Sequence, residues 1–371
     1  MGRELFNAAF EDKQPLSNYA FALSTFVSKL YTAAVSDGIT DLFFLAREGK
    51  YLKELFELYM RLIDKHSIQT HYLYVSRRSC VNATLKSLDE ENFEAFSCYH
   101  ALSLGIFLRA LLFEPKDIAN ISNEIGTSES VEIKDFFSSE VWNRLKENKS
   151  FREKYDEIRF TQCHNFKLYL ERAGFTNAKR PAVVDVGWRG TMQDRIFSLG
   201  LHPKLVGYYI GVYSNAVITS DCSKYGLLFD DNKGRNAFYY NNNYFEYLCV
   251  ADHGSTVKYT VEGIPILKKD EDCAMYRKYF STIQKNVLKK TSFICKAVPH
   301  PESVVELEHL FEQYHARMLL SFNKNEKEIL RYALISHPDG LAEIKPQQNL
   351  RTIMSQIKKY LILMRRAFLC L

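Results

Sequence analysis

Two short, unbroken apolar runs constrain this chain more than any other feature. DLFFLA (Asp41–Ala46) and AVVDV (Ala182–Val186) are too short for a surface helix and too continuously apolar for a strand with one wet face. Each is followed by a polar loop with glycine, REGK at Arg47–Lys50 and GWRGT at Gly187–Thr191, and then by a helical pattern. HYLYVS (His71–Ser76) and LVGYYIGV (Leu205–Val212) supply the next strands. A strand, loop, helix, strand series is a βαβ unit, which makes its two strands parallel. The sequence therefore predicts an α/β fold built on a parallel sheet.

The rest of the chain reads mostly as helix. Leu16–Ser36 carries Tyr19, Leu23, Phe26, Val27, Leu30, Tyr31 and Ala34 at amphipathic spacing, and Asp37-Gly38 supplies a left-handed stop. Leu52, Leu55, Phe56, Tyr59, Met60 and Ile63 mark the helix after REGK. ALSLGIFLRALLF (101–113), VEIKDFFSSEVWNRLKE (131–147) and FREKYDEIRFTQCHNFKLYLERAGF (151–175) read as helices of an insertion between the two βαβ units. TVKYTVEGIPIL after Gly254 reads as a hairpin turning at Glu262-Gly263, and Cys273 onward is helical again. The expected organisation is 1–80 as the first half of the α/β core, 81–178 as a helical insertion, 179–267 as the second half, and 268–371 as a helical C-terminal region.

Composition narrows the function. With 371 residues, 46% hydrophobic, 23 Tyr and 26 Phe, the chain can bury a large core. A net charge of +5 without a dense basic stripe suits anionic small molecules or an anionic membrane surface, and no nucleic acid is expected as partner. Cysteines 80, 98, 163, 222, 249, 273, 295 and 370 show no CxxC pair and read as reduced and structural. No apolar leader and no membrane-length stretch is present, so a cytoplasmic location is expected.

Ligands of open parallel sheets bind beyond the carboxyl ends of the strands. Three polar segments fall there: Arg47-Glu48-Gly49-Lys50, Ser76-Arg77-Arg78, and Gly187-Trp188-Arg189-Gly190-Thr191. They bring five cationic side chains (Arg47, Lys50, Arg77, Arg78, Arg189) and the backbone N–H groups of helix starts toward one edge, a chemistry suited to a ligand with more than one phosphate. Thr191 can add a hydroxyl and cap its helix. Asp185 closes a buried strand, where an unpaired carboxylate is costly, so it is expected to meet hydroxyls or a metal. Each segment also has a plain reading: turn glycines, solvated first-turn cations, and Arg77 or Arg78 pairing with the acidic stretch near Asp89. Asp185-Val186-Gly187 is also reminiscent of nucleotide and S-adenosylmethionine loops, but Arg189, Thr191 and Met192 stand where later glycines would fall.

LFFLAREGKYL, YLYVSRRS, VVDVGWRGTMQ and FEYLCVADHGSTVKY, in that order, resemble a domain of bacterial surface-polysaccharide gene clusters, often joined to a haloacid-dehalogenase-type phosphatase. The resemblance covers roughly residues 15–260. It implies a phosphoribosyltransferase-like core and a glycosyltransferase that moves ribofuranose 5-phosphate from phosphoribosyl pyrophosphate to a lipid-linked glycan acceptor, releasing pyrophosphate. By the same resemblance, Arg47, Glu48, Gly49 and Lys50 form the pyrophosphate loop, with Arg77 and Arg78 as further cations. Gly187, Trp188, Arg189, Gly190 and Thr191 hold the 5-phosphate, Asp185 meets the ribose hydroxyls and Mg²⁺, and Glu246, Asp252 or His253 serves as base. Ordinary phosphoribosyltransferases carry two adjacent acids and small loop residues where this chain has Val184-Asp185 and Trp188-Arg189. No DxDxT motif occurs, so a separate phosphatase is implied.

QIKKYLILMRRAFLCL (Gln356–Leu371) sets Lys358, Lys359, Arg365 and Arg366 around Leu361, Ile362, Leu363, Phe368 and Leu369. Such a helix either lies on the inner face of an anionic membrane or packs its apolar face on the domain. Two other functions fit the sequence: a sugar-phosphate-binding scaffold without turnover, and a nucleotide- or S-adenosylmethionine-dependent transferase.

Overall fold

The computed structural model describes residues 14–65, 68–97, 99–269, 272–336, 362–364 and 367. Helix α1 (Tyr19–Ser36) leads through Gly38, at φ +64°, into strand β1 (Asp41–Leu45), helix α2 (Gly49–Leu62), strand β2 (Gln69–Leu73) and helix α3 (Arg77–Ala83). The second βαβ unit is β5 (Pro181–Asp185), α8 (Thr191–Phe197) and β6 (Leu205–Val212), followed by β7 (Cys222–Asp230). These strands form a five-stranded sheet in the order β2-β1-β5-β6-β7, parallel throughout. The α/β class and the parallel sheet are as the sequence predicts.

Both faces of the sheet are covered, which is why its strands read as continuous apolar runs. Leu42, Phe44, Ala182, Val184, Tyr208 and Ile210 pack with α1 and α2 in the main core. Phe43, Leu45, Val183 and Leu205 pack on the other face with Cys80, Phe166, Leu170 and Ile196. Each fully buried Val, Leu, Ile or Phe among them contributes about 2 kcal/mol relative to exposure.

Helix α1 departs from its amphipathic reading. Every residue from Tyr19 to Ser28 is buried. Beyond the short helix α10 (Asp272–Met275), helices α11 (Ser281–Ala297) and α12 (Pro301–Leu320) cover its far side, so the C-terminal helices share the core of the sheet. The hydroxyls of Ser24 and Thr25 donate to the carbonyls of Ala20 and Phe21, which lets them sit inside.

Residues 81–158 build a separate apolar cluster around Phe93, Phe107 and Trp142. Here the long helical readings are corrected. Ala101–Ser103 (β3) and Glu132–Lys134 (β4) pair antiparallel, and helices α4 (Leu104–Ala110), α5 (Pro115–Glu124), α6 (Glu140–Glu147) and α7 (Lys149–Arg172) complete the insertion. The breaks are set by caps: Ser103, Ser139 and Asn148 accept from Ile106 N, Trp142 N and Phe151 N. Strand β2 stops at Leu73 rather than Ser76, because Ser76 caps α3 in a reciprocal box with Ser79. Strand β7 was not expected. Its exposed Tyr225 and its bend at Gly226, where a Cβ would meet Phe229 O at 2.0 Å, break the apolar pattern.

After helix α9 (Asn243–Leu248), the expected hairpin is present as β8 (Thr256–Tyr259) and β9 (Pro265–Leu267), turning through Gly263 at φ +68°. No helix among the described residues is long and apolar enough to cross a membrane. In the C-terminal segment, Leu363 and Ala367 are buried in the main core, and Arg317 Nε donates to Ala367 O at 3.3 Å. Lys358, Lys359, Arg365 and Arg366 lie outside the described residues.

Candidate functional site

Strands β1 and β5 are neighbours, yet the chain leaves them in opposite directions, β1 toward β2 and β5 toward β6. Their outgoing loops diverge at the carboxyl edge, the place where doubly wound sheets bind ligands. REGK follows β1 and GWRGT follows β5, so both flank this switch point.

The first wall is the turn into α2. Gly49 lies so close to β1 that a Cβ would meet the Phe44 carbonyl carbon at 2.8 Å. This tight return tucks Arg47 inward, only 8% exposed, while its N–H donates to Glu48 Oε2 at 3.1 Å. Lys50 is exposed and pairs with Asp252, whose carboxyl it holds below the usual range. The Ala46–Arg47 and Gly187–Trp188 peptides are cis.

Behind this wall the base candidate His253 meets Tyr72, a partner the sequence reading missed. Tyr72 Oη lies 2.8 Å from His253 Nε2 and 3.3 Å from the Arg47 carbonyl. His253 Nδ1 lies 2.9 Å from Gly254 O, and a carbonyl only accepts, so Nδ1 carries the proton. Burial, opposed by the Gly254 bond and aided by the Lys50 and Arg47 cations, lowers the imidazole pKa. A neutral His253 then leaves Nε2 as acceptor, so the single Tyr72 proton goes to this shorter contact rather than to the Arg47 carbonyl. Sequence offered little signal for this pair, whose members are 181 positions apart.

The second wall is the loop after β5. Asp185 is buried, and its Oδ1 accepts the Val186 N–H at 2.8 Å. Burial first, then the negative charges of Glu48 and Glu246, push its pKa well above the usual carboxylate range, while Arg77 opposes them. Gly187, at φ +142°, passes so near β6 that a Cβ would sit 2.4 Å from Gly211 O. Gly190, at φ +68°, would meet Lys224 Cε at 2.5 Å. Gly190 is also the N-cap of α8. Thr191 is the first helical residue, exposed and without a side-chain cap, which corrects its expected capping role.

Lys224 and Asp194 back this loop, a second feature not anticipated. The Lys224 side chain is fully enclosed, and its Nζ lies 2.5 Å from Asp194 Oδ1 and also donates to Val217 O. Gln193, wholly buried, donates to Leu205 O and Ser223 O and accepts from Tyr209 Oη, tying α8 to β6 and β7. Trp188 Nε1 donates to Glu246 Oε1 at 2.8 Å.

The carboxyl edge thus carries two electrostatic groups, Asp185 with Glu48, Glu246 and Arg77, and His253 with Arg47, Lys50 and Asp252. Arg78 is turned to the insertion, where its guanidinium donates to the Arg109 carbonyl. Asp89, weighed as a partner for Arg77 or Arg78, accepts from Arg152 at 3.1 and 3.2 Å. Arg189 is exposed at the rim.

Among the described residues no three His, Cys, Asp or Glu side chains converge to hold a metal unaided. Asp185, with Glu48 and Glu246 near enough to repel its charge, nevertheless offers hard oxygen donors. That set suits Mg²⁺, which takes one or two carboxylates and completes its shell with phosphate oxygens and water. No protein-family model matches the chain, and no curated protein matches it.

Proposed function

We propose that the chain has a phosphoribosyltransferase-like core and transfers ribofuranose 5-phosphate from phosphoribosyl pyrophosphate to a lipid-linked glycan acceptor. The observation that carries this reading is the pairing of a cationic loop and an acid-plus-glycine loop across one switch point, Arg47–Lys50 on one side and Asp185–Thr191 on the other. A ligand that fits both has phosphate charge at each end and hydroxyls between.

Transfer breaks the bond between anomeric carbon and pyrophosphate oxygen and forms a bond from that carbon to an acceptor oxygen. The electron pair leaves on pyrophosphate, and the acceptor hydroxyl gives up its proton. Arg47, Lys50 and Arg77 are the cations that stabilise the leaving charge. Main-chain N–H groups of Gly187–Thr191 would hold the 5-phosphate, and Asp185 the ribose hydroxyls. Asp185 and Glu48 would hold Mg²⁺, which would supply charge neutralisation for the pyrophosphate. Of the base candidates, Asp252 is paired with Lys50 and His253 Nε2 is engaged by Tyr72. Glu246 Oε1 likewise accepts from the Trp188 indole N–H, so all three are engaged, and we take Glu246 as the base because it is the one of the three that acts on the charge of Asp185. The product keeps its 5-phosphate, so a separate phosphatase completes the sequence.

Thermal shift tests the donor. Phosphoribosyl pyrophosphate with Mg²⁺ should stabilise the protein, whereas S-adenosylmethionine and nucleotide sugars should not. Stabilisation by either of the latter alone would replace this reading.

A further inference from the structure

The hydrogen bonds of His253 let its ring hold either charge state. In the neutral ring Nδ1–H donates to Gly254 O and Nε2 accepts from Tyr72 Oη. Tyr72 Oη has a second acceptor within reach, the Arg47 carbonyl oxygen at 3.3 Å. When Nε2 gains a proton it donates to Tyr72 Oη, and the hydroxyl proton turns to the Arg47 carbonyl. Both ring N–H groups are then satisfied, and no heavy atom has to leave its place. A backbone N–H in the place of Tyr72 could only donate, and it would lock the ring neutral.

The charges around the ring decide which state is populated. Tyr72 of β2 and Tyr74 just beyond it pack against the imidazole, Asp252 precedes it in the chain, and Arg47 and Lys50 act on it from the turn into α2. Glu48 acts on Tyr72, and the Lys50–Asp252 pair acts on Tyr276. Burial comes first among the influences against a charged ring, and the Lys50 and Arg47 cations add to it. The Gly254 bond and Asp252 favour the charged ring. Two of the influences that keep His253 neutral are therefore the cations assigned to pyrophosphate. A bound polyanion meets their charge, and a nearby opposite charge favours the protonated ring.

We infer that binding of the pyrophosphate end draws a proton from solvent onto His253 Nε2, adding an imidazolium to the cations around the leaving group. This rests on the donor reading above. One N–H bond forms, the proton comes from water or buffer, and the Tyr72 proton stays on its own oxygen. The proton returns to solvent when pyrophosphate departs.

Calorimetric titration of inorganic pyrophosphate with Mg²⁺, in buffers of different ionisation enthalpy between about pH 5.5 and 8, counts the protons taken up. His253→Gln keeps an acceptor for Tyr72 and cannot charge. Protons exchanged by pyrophosphate and by Asp185 are common to both proteins and cancel in the difference. At its maximum the wild type should take up about half a proton more than His253→Gln, and the excess should vanish at the alkaline end. Its affinity should exceed that of the variant about tenfold at the acid end, with the advantage fading as pH rises. Tyr72→Phe removes the acceptor for the new N–H and should lower the excess, which keeps the test open should His253→Gln not fold. Equal uptake by the wild type and His253→Gln, or by the wild type and a folded Tyr72→Phe, would overturn the inference alone. No pyrophosphate binding by the wild type would overturn the reading of the Arg47–Lys50 loop and the inference with it.

Discussion

Asp185 collects the electrostatics of its side of the carboxyl edge. Burial and two carboxylate neighbours raise its pKa in the folded chain. The folded protein thus keeps a proton that the unfolded chain releases, and stability falls as pH rises from the unfolded pKa through the folded one. Asp185→Asn removes that cost. It should raise the melting temperature at neutral pH by about 2 °C or more while abolishing transfer. A lower melting temperature, seen by calorimetry, would count against the raised pKa. His253 carries a prediction of the opposite kind. Its lowered pKa keeps it neutral at pH values where an ordinary histidine is half charged, and nitrogen-15 NMR should find the Nδ1–H form there. The glycines of both loops were legible in sequence because turn chemistry is local. Tyr72, Lys224 and Asp194 were not, because their roles exist only once distant strands lie side by side.

The loop after β5 and its backing act as one element. Gly187→Ala puts a methyl 2.4 Å from a carbonyl oxygen at a left-handed φ, so it should cost about 3 kcal/mol or more in chemical denaturation. Lys224→Met leaves Asp194 without its buried partner and should cost about 3 kcal/mol, somewhat less to the extent that Asp194 is a third exposed. The double change with Asp194→Asn should recover much of that loss; strict additivity of the two single effects would show that the pair is not coupled. Strand positions in the two βαβ units were readable because burial on both faces writes an unbroken apolar run. Strand β7 was not, since exposed Tyr225 and the Gly226 bend interrupt its run. In the insertion, helical spacing was visible but serine and asparagine caps cut it into shorter pieces.

At the scale of the whole molecule, the sheet is closed on one side by helices from both ends of the described chain. Phe21 of α1 packs on Phe311 and Tyr314 of α12 at 5.5 and 5.0 Å. Removing residues 281–371 strips that cover from a helix whose first ten residues are buried all round. The truncated protein should lose its cooperative melting transition; retention of one would show the C-terminal helices to be accessory. The sequence marked these helices as helical without showing what they cover, because an apolar stripe does not name its partner. It did place the loops after β1 and β5 at one sheet edge, since an α/β alternation fixes which ends of parallel strands lie together.

The central claim is that the β1 and β5 loops form one donor site with phosphate-binding capacity on both sides. Calorimetric titration of phosphoribosyl pyrophosphate with Mg²⁺ into the wild-type protein, Arg47→Ala and Asp185→Ala tests it most directly. One saturable site in the wild type, weakened at least about tenfold by either change, is the predicted result. Binding indifferent to both substitutions, or absent from the wild-type protein, would contradict it.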